Sequence, residues 1–218
     1  MTPDTNAISP DAGVRAKASE WLKKAIDINH VLGAETMVGP YHSALGHFSG
    51  SGPTLDEKQR AADVLRGAAE HAKQANLMLG IEYLNRFECY FLNTAKDAKA
   101  LVDAVGHPNF RTMYDTFHAH IEEKDQASAI RTVAPVLAHV HISENDRGTP
   151  GTGQVNWDAA FGTLKEVGYD GWLVIEAFGR ALPDLAAATR VWRDLFPSPD
   201  EVYTKGIAFM KRKVAGGK

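Results

Sequence analysis

The chain has 218 residues, 44% of them hydrophobic, a formal net charge of -3 and a single cysteine, Cys89. That size and apolar fraction suit a globular domain with a buried core, the charge offers no basic excess for nucleic acid, and one cysteine excludes an internal disulfide and CxxC metal sites. No apolar run approaches the ~18 residues of a membrane helix, and the start, "MTPDTNAISPD", lacks the basic and apolar regions of a signal peptide, so the expectation is a cytoplasmic protein that meets no membrane.

In chain order, Ala12–Leu32 carries apolar residues at helical spacing (Ala18, Trp21, Leu22, Ala25, Ile28, Leu32) and stops at Gly33. A short run, "AETMVGP", follows. Thr54 stands three residues before Glu57, the spacing of a capping box, and opens a long amphipathic helix towards Met78. "LGIEYL" reads as a strand, Ala95–Val105 as a helix and "FRTMYD" as a strand. Gln126–Val133 reads as a helix, "LAHVHI" as a strand and Trp157–Val167 as a helix ending at Gly168. "GWLVIEAF" is the last strand, and Leu182–Leu195 and Pro199–Lys213 close the chain as helices. Trp21, Trp172 and Trp192 are expected in the core. Cys89 is expected to be a small buried hydrophobe.

Helix and short apolar strand thus alternate five times. The strands are Val, Ile and Leu runs rather than strict alternations, as in parallel strands covered on both faces. Such βα units in series give either a doubly wound sheet or a (β/α)8 barrel. Neither GxGxxG nor GxxxxGK[ST] follows any strand, so the dinucleotide and phosphate-loop fingerprints are absent. "GTPGTGQ" (148–154) is glycine-rich but lacks the lysine, and it reads as a flexible active-site loop.

Four strands share one habit, an ionisable side chain at or near the C-terminal end: Glu82 in "GIEYLNRFE", Asp115 in "MYDTFH", His141 in "HVHISEND" and Glu176 in "VIEAFG". In a parallel barrel those ends converge on one mouth. Three carboxylates and one imidazole make a hard, oxygen-rich set suited to Mn²⁺, Mg²⁺ or Co²⁺. Taken singly, each carboxylate has a bland reading as a helix cap or a solvated residue; their recurrence at matching places favours a site. His139 shares a strand face with His141 and is an alternative ligand. His42 and His47, in "GPYHSALGHFSGSG", are candidates to line the mouth.

The segments "IEYLNRFE", "LNTA", "DTFH" with "IEE", "HVHISENDRG", "PGTGQVNW" and "GYDG" with "IEAF" resemble the ketose 3-epimerase family (D-tagatose, D-psicose and L-ribulose 3-epimerases) within the xylose-isomerase-like TIM barrels. Their order and spacing agree with it: 33 residues from Glu82 to Asp115, 26 more to His141 and 35 more to Glu176. The resemblance runs from about Ser9 to Trp192. It implies that residues 1–218 form a single domain of the (β/α)8 barrel type. The barrel is expected to be incomplete at its N-terminal side, with about five βα units present and the first three absent.

The resemblance further implies that Glu82, Asp115, His141 and Glu176 hold one divalent metal, Mn²⁺ foremost with Mg²⁺ or Co²⁺ as alternatives. Glu82 and Glu176 double as the acid/base pair. Glu88, His118 and Arg147 match positions that contact the ketose or orient the catalytic carboxylate. His118 has an alternative as a structural residue that orients a metal ligand, and Arg147 as a surface partner of Glu144 or Asp146. The implied activity is inversion of C3 of a free ketose through a cis-enediolate, with no redox cofactor, in a homo-oligomer of two or four copies. The alternatives are an aldose–ketose isomerase or inosose dehydratase of the same superfamily, or a non-catalytic partial-barrel interaction protein.

Overall fold

The computed structural model of the chain describes residues 1–216. Local sequence signals fix most element ends. Helix α1 (Ala12–Val31) starts at Asp11, whose carboxylate accepts from the amides of Gly13 and Val14, and it buries Ala18, Leu22 and Ile26. It stops where Gly33 takes φ +72 and donates to the His30 carbonyl, a left-handed conformation that glycine adopts without a Cβ penalty. Strand β1 (Thr36–Gly39) precedes α2 (Leu55–Gln74), which opens on the expected capping box. The Glu57 amide donates to Thr54 Oγ1 (3.2 Å) and Glu57 Oε2 accepts from the Thr54 amide (2.7 Å). Glu57 Oε1 also accepts from the Tyr90 hydroxyl at 2.6 Å, tying the cap to the segment after the next strand.

The chain continues as β2 (Met78–Ile81), α3 (Ala95–Val105), β3 (Phe110–Asp115), α4 (Thr116–Glu122), α5 (Gln126–Val133) and β4 (Leu137–Ile142). Next come α6 (Trp157–Glu166), β5 (Leu173–Ile175), α7 (Pro183–Thr189) and α8 (Pro199–Val214). Five strands among the described residues run in the order β1-β2-β3-β4-β5. Chain order therefore equals strand order, the pattern of successive βα units. Among the described residues no helix is long and apolar enough to cross a membrane.

Two compact units divide the chain. The first contains Met1–Tyr114 with Thr132–His139. Its strands pair in parallel, β1 with β2 (Val38 opposite Gly80) and β2 with β3 (Gly80 opposite Arg111). Leu22, Ile26, Leu65, Leu79, Ile81 and Met113 are fully buried there. The second contains Asp115–Arg131 and the chain from Val140 onward. In it β4 pairs in parallel with β5, His141 opposite Val174. Trp157, Phe161 and Phe209 bind α6 to α8 in a ring cluster with centroids 5.2–6.1 Å apart.

Two expectations need correction, and one element was not expected. Trp21, Trp172 and Trp192 are 44%, 65% and 71% exposed rather than core. Trp172 leads into β5, the last strand in the order, where Val174 is exposed as well. The helix expected to reach Leu195 ends at Thr189, because Arg190 takes a left-handed conformation (φ 58) and the Val191 amide turns back to the Ala186 carbonyl. "DTFH" is the start of a further helix, α4, capped by Asp115 itself. Cys89 is buried as expected.

Removing the Thr54 hydroxyl leaves the Glu57 amide without its cap. Thr54→Ala should cost about 1 kcal/mol, seen as a lower urea midpoint with an unchanged m-value; an unchanged midpoint would show that Glu57 and Tyr90 hold this end without it.

Candidate metal centre

In the second unit three strand ends deliver their ionisable groups to one point. Asp115 is the last residue of β3 and the cap of α4: Oδ1 accepts from the amides of Phe117 (2.7 Å) and His118 (3.3 Å). That use of one oxygen leaves Oδ2 aimed at His141 and Arg147. Nδ1 of His141, on β4, lies 3.4 Å from Asp115 Oδ2 and 3.4 Å from Glu176 Oε1. Glu176 follows β5, and its amide donates to the Ile142 carbonyl (3.1 Å), extending the β4–β5 ladder by one bond. The ligand-competent atoms of Asp115, His141 and Glu176 lie within 4.8 Å of one another, so these groups can hold a metal ion. Two carboxylate oxygens and one imidazole nitrogen at that spacing fit a hard divalent cation. Of the two histidines on β4, it is His141 that supplies the nitrogen.

The electrostatics follow from crowding. Burial pushes the Asp115 carboxyl up, but the Arg147 guanidinium and the His141 ring outweigh it and hold it well below the usual carboxylate range. Burial and the charge of Asp115 push Glu176 up, against the pull of His141 and Arg147. Burial alone would lower the His141 imidazole, yet the two carboxylates lift it to about 10. The carboxylates thus hold a proton on His141 where a cation would sit.

Arg147 is 8% exposed. Its Nη1 donates to Glu176 Oε2, to Asp115 Oδ2 (3.3 Å) and to Ser143 Oγ (3.0 Å). The guanidinium lies over the Phe117 ring, 3.7 Å from its centroid, and 5.1 Å from the centroid of Phe178, a planar cation against aromatic faces. Its Nη2 is 3.0 Å from His118 Nε2. Arginine can only donate, so that nitrogen accepts and the His118 proton is assigned to Nδ1. Burial, helped by Arg147, lowers the His118 ring to about 3. His118 is therefore a neutral acceptor for Arg147 rather than a second cation.

The second unit therefore brings Asp115, His118, His141, Arg147 and Glu176 together. Glu82 and Glu88 belong to the first unit. Glu82 is buried immediately after β2, where its amide donates to the Gly39 carbonyl (3.0 Å). Glu88 is half-buried in the turn that follows, its Oε1 accepting from Asn85 Nδ2 (2.8 Å). His47 is exposed. His42 is buried against Phe91 with Nδ1 2.8 Å from Ser43 Oγ, and burial lowers its ring to about 3. The surface alternative for Arg147 fails, since both Arg147 and Glu144 are buried. In the glycine-rich stretch the amides of Gly148, Gly151 and Gln154 donate to the side chains of Asp146, Glu144 and Asn145.

Sequence reasoning missed Thr116 and Ser143. The Thr116 hydroxyl donates to the Ser143 carbonyl (2.7 Å) and accepts from the Ser143 amide (2.8 Å), clamping the ends of β3 and β4. Only their placement directly after Asp115 and two residues after His141 could have marked them. Phe117 and Phe178 were missed for a similar reason: stacking on a cation has no sequence period.

A family model described as xylose isomerase-like TIM barrel matches residues 1–213. The L-ribulose 3-epimerase of Methylomonas sp. (strain DH-1) is 31% identical over 98% of this chain and 75% of its own length. The D-psicose 3-epimerase of Agrobacterium fabrum is 34% identical over 97% and 75%. The crystal structure of the Methylomonas D-allulose 3-epimerase with D-allulose superposes with a TM-score of 0.92 at 31% identity, covering 97% of this chain and 74% of that one. These matches run over nearly all of this chain and do not support the expectation that an N-terminal part of the barrel is missing from it. The chain spans about three quarters of each relative's length.

A divalent cation must displace the proton that Asp115 and Glu176 hold on His141. Between pH 7 and 9 the apparent affinity for Mn²⁺ should therefore rise about tenfold per pH unit, the slope of one released proton. Titration calorimetry in buffers of different protonation enthalpy measures that release directly. A pH-independent affinity would mean that His141 carries no proton there.

Proposed function

This chain belongs to the ketose 3-epimerase family of the xylose isomerase-like TIM barrels, a family of isomerases, and we propose that it inverts C3 of a free ketose by proton transfer between two glutamates. The observation that carries this reading is the convergence of Asp115, His141 and Glu176 on one point beside the stacked guanidinium of Arg147. Glu82, at the end of β2, is proposed as the fourth ligand and as the second acid/base group, on the family resemblance of "IEYLNRFE". Mn²⁺ is the proposed metal, with Mg²⁺ or Co²⁺ as alternatives. When bound, the cation supplies positive charge that acidifies the C–H beside the substrate carbonyl.

The chain's own groups do the rest. The raised affinity of Glu176 for protons suits a general base whose conjugate acid must form in the reaction. Glu176 takes the C3 proton from one face, and the electron pair of that C–H bond moves into the C2 carbonyl, leaving an enediolate. Glu82, protonated, returns a proton to C3 on the other face, and the roles reverse in the opposite direction. Arg147 holds Glu176 Oε2 by a charge-assisted hydrogen bond, while Oε1 faces His141. His118 keeps Arg147 aimed by accepting from Nη2. Glu88 is proposed to bind the O1–O3 end of the sugar. The substrate is proposed among the ketoses that relatives are named for, D-psicose (D-allulose) and L-ribulose, with D-fructose and D-tagatose as further candidates. A cytoplasmic assembly of two or four copies belongs to the same reading, on the resemblance alone.

Incubation with Mn²⁺ and each ketose in D₂O, followed by NMR, tests the proposal. Deuterium should enter at C3 and the 3-epimer should appear, and Glu176→Gln should slow both by about 10²–10⁴-fold. Deuterium at C1 instead would make the enzyme an aldose–ketose isomerase, and loss of water would make it a dehydratase. Silence with every ketose would overturn the reading.

A further inference from the structure

The stretch from Glu144 to Trp157 leaves β4 and returns as α6, and it is built around one carboxylate. Glu144 is fully buried. Its Oε1 accepts from the amides of Asn145 (3.1 Å) and Val155 (3.0 Å), and its Oε2 from the Gly151 amide (2.9 Å) and the Trp157 indole (3.0 Å). All four donors are neutral N–H groups, and together they fill the acceptor capacity of a carboxylate. Gly153 packs onto it so closely that a Cβ would stand 2.7 Å from Glu144 Cγ. Asn145 Oδ1 closes a second tie across the stretch by accepting from the Gln154 amide (2.7 Å).

Arg147 sits inside this stretch with φ 66, a left-handed conformation that a long side chain rarely adopts. Such a conformation persists only when the surroundings over-determine it. Two backbone bonds do so here. The Arg147 amide donates to the Glu144 carbonyl (2.9 Å), and the Arg147 carbonyl accepts from the Phe178 amide (3.0 Å), two residues beyond Glu176. The backbone that aims the guanidinium at Glu176 is therefore anchored at Glu144 on one side and beside Glu176 on the other.

We propose that Glu144 is a positioning residue for the epimerisation: it folds residues 144–157 around its carboxylate, fixes Arg147 in its left-handed conformation, and so holds the guanidinium against Glu176. Glutamate is needed because a glutamine has one acceptor oxygen, and its amide N–H groups would face two of the four donors. With those donors unmatched the stretch relaxes, Arg147 leaves the left-handed region, and Glu176 loses its partner. The catalytic consequence rests on the epimerase reading; the positioning of Arg147 does not.

Glu144→Gln should lower kcat for C3 exchange by about 10²-fold, the loss expected when a catalytic group is misplaced by about 1 Å. The double variant Glu144→Gln/Arg147→Ala should lose no more than Arg147→Ala alone, because the two act as one unit. Additive losses would overturn the proposal. An independent readout is the ¹⁵N resonance of the Arg147 side-chain N–H, which should shift and lose its protection from solvent exchange in Glu144→Gln; an unmoved, protected resonance overturns the proposal whatever the activity. Trp157→Phe, which deletes one of the four donors, should produce the same shift in smaller degree and serves if Glu144→Gln does not fold. Wild-type silence in the exchange assay would sink the epimerase reading while the resonance still decided the role of Glu144.

Discussion

The site depends on how two crowded carboxylates, the buried Asp115 and the half-buried Glu176, coexist. Placing like charges within reach of one imidazole is unfavourable, and each buried ion costs several kcal/mol of lost hydration. Arg147 offsets this by donating to both. It can do so because its own desolvation is softened by the Phe117 and Phe178 rings and because His118 and Ser143 accept from it. Arginine suits that place better than lysine: the planar fork reaches several acceptors at once and stacks, whereas an ammonium does neither.

The charge crowding also separates the roles of three ionisable groups that the sequence presents alike. Asp115 is held ionised, with one oxygen spent on the α4 amides and the other beside Arg147 and His141. Glu176 has the higher proton affinity and is partly open to solvent. His118, only three residues from Asp115, is kept neutral by burial and by its arginine neighbour. Two carboxylates with divergent proton affinities are the usual basis for assigning acid/base work, and here the divergence arises because Arg147 and His141 outweigh burial at Asp115 but not at Glu176.

Rigidity around the site comes from short-range bonds. Thr116 and Ser143 exchange hydrogen bonds at the ends of β3 and β4, and the Glu176 amide continues the β4–β5 ladder. Glu144 organises the next stretch in the same way, with no net gain of charge contacts but a full set of amide donors. Such satisfied buried networks specify one geometry, which a site that moves a proton between fixed groups requires.

The sequence by itself determined the elements that rest on local physics: the Thr54–Glu57 capping box, the stops at Gly33 and Gly168, the apolar strands, and the habit of ending them in Glu82, Asp115, His141 and Glu176. Those signals lie within a few residues and act through periodicity, caps and backbone freedom. It also named Arg147 and His118 through a family resemblance, without showing that one guanidinium would link them to Glu176. Only the tertiary structure decided that Asp115 caps α4 with one oxygen, that His118 is neutral, that Arg147 is stacked and buried, that Trp21, Trp172 and Trp192 face solvent, and that Glu144 is enclosed by its own loop. Each depends on groups brought together from different strands or from opposite ends of a turn, and burial and pairing of that kind have no period along a chain.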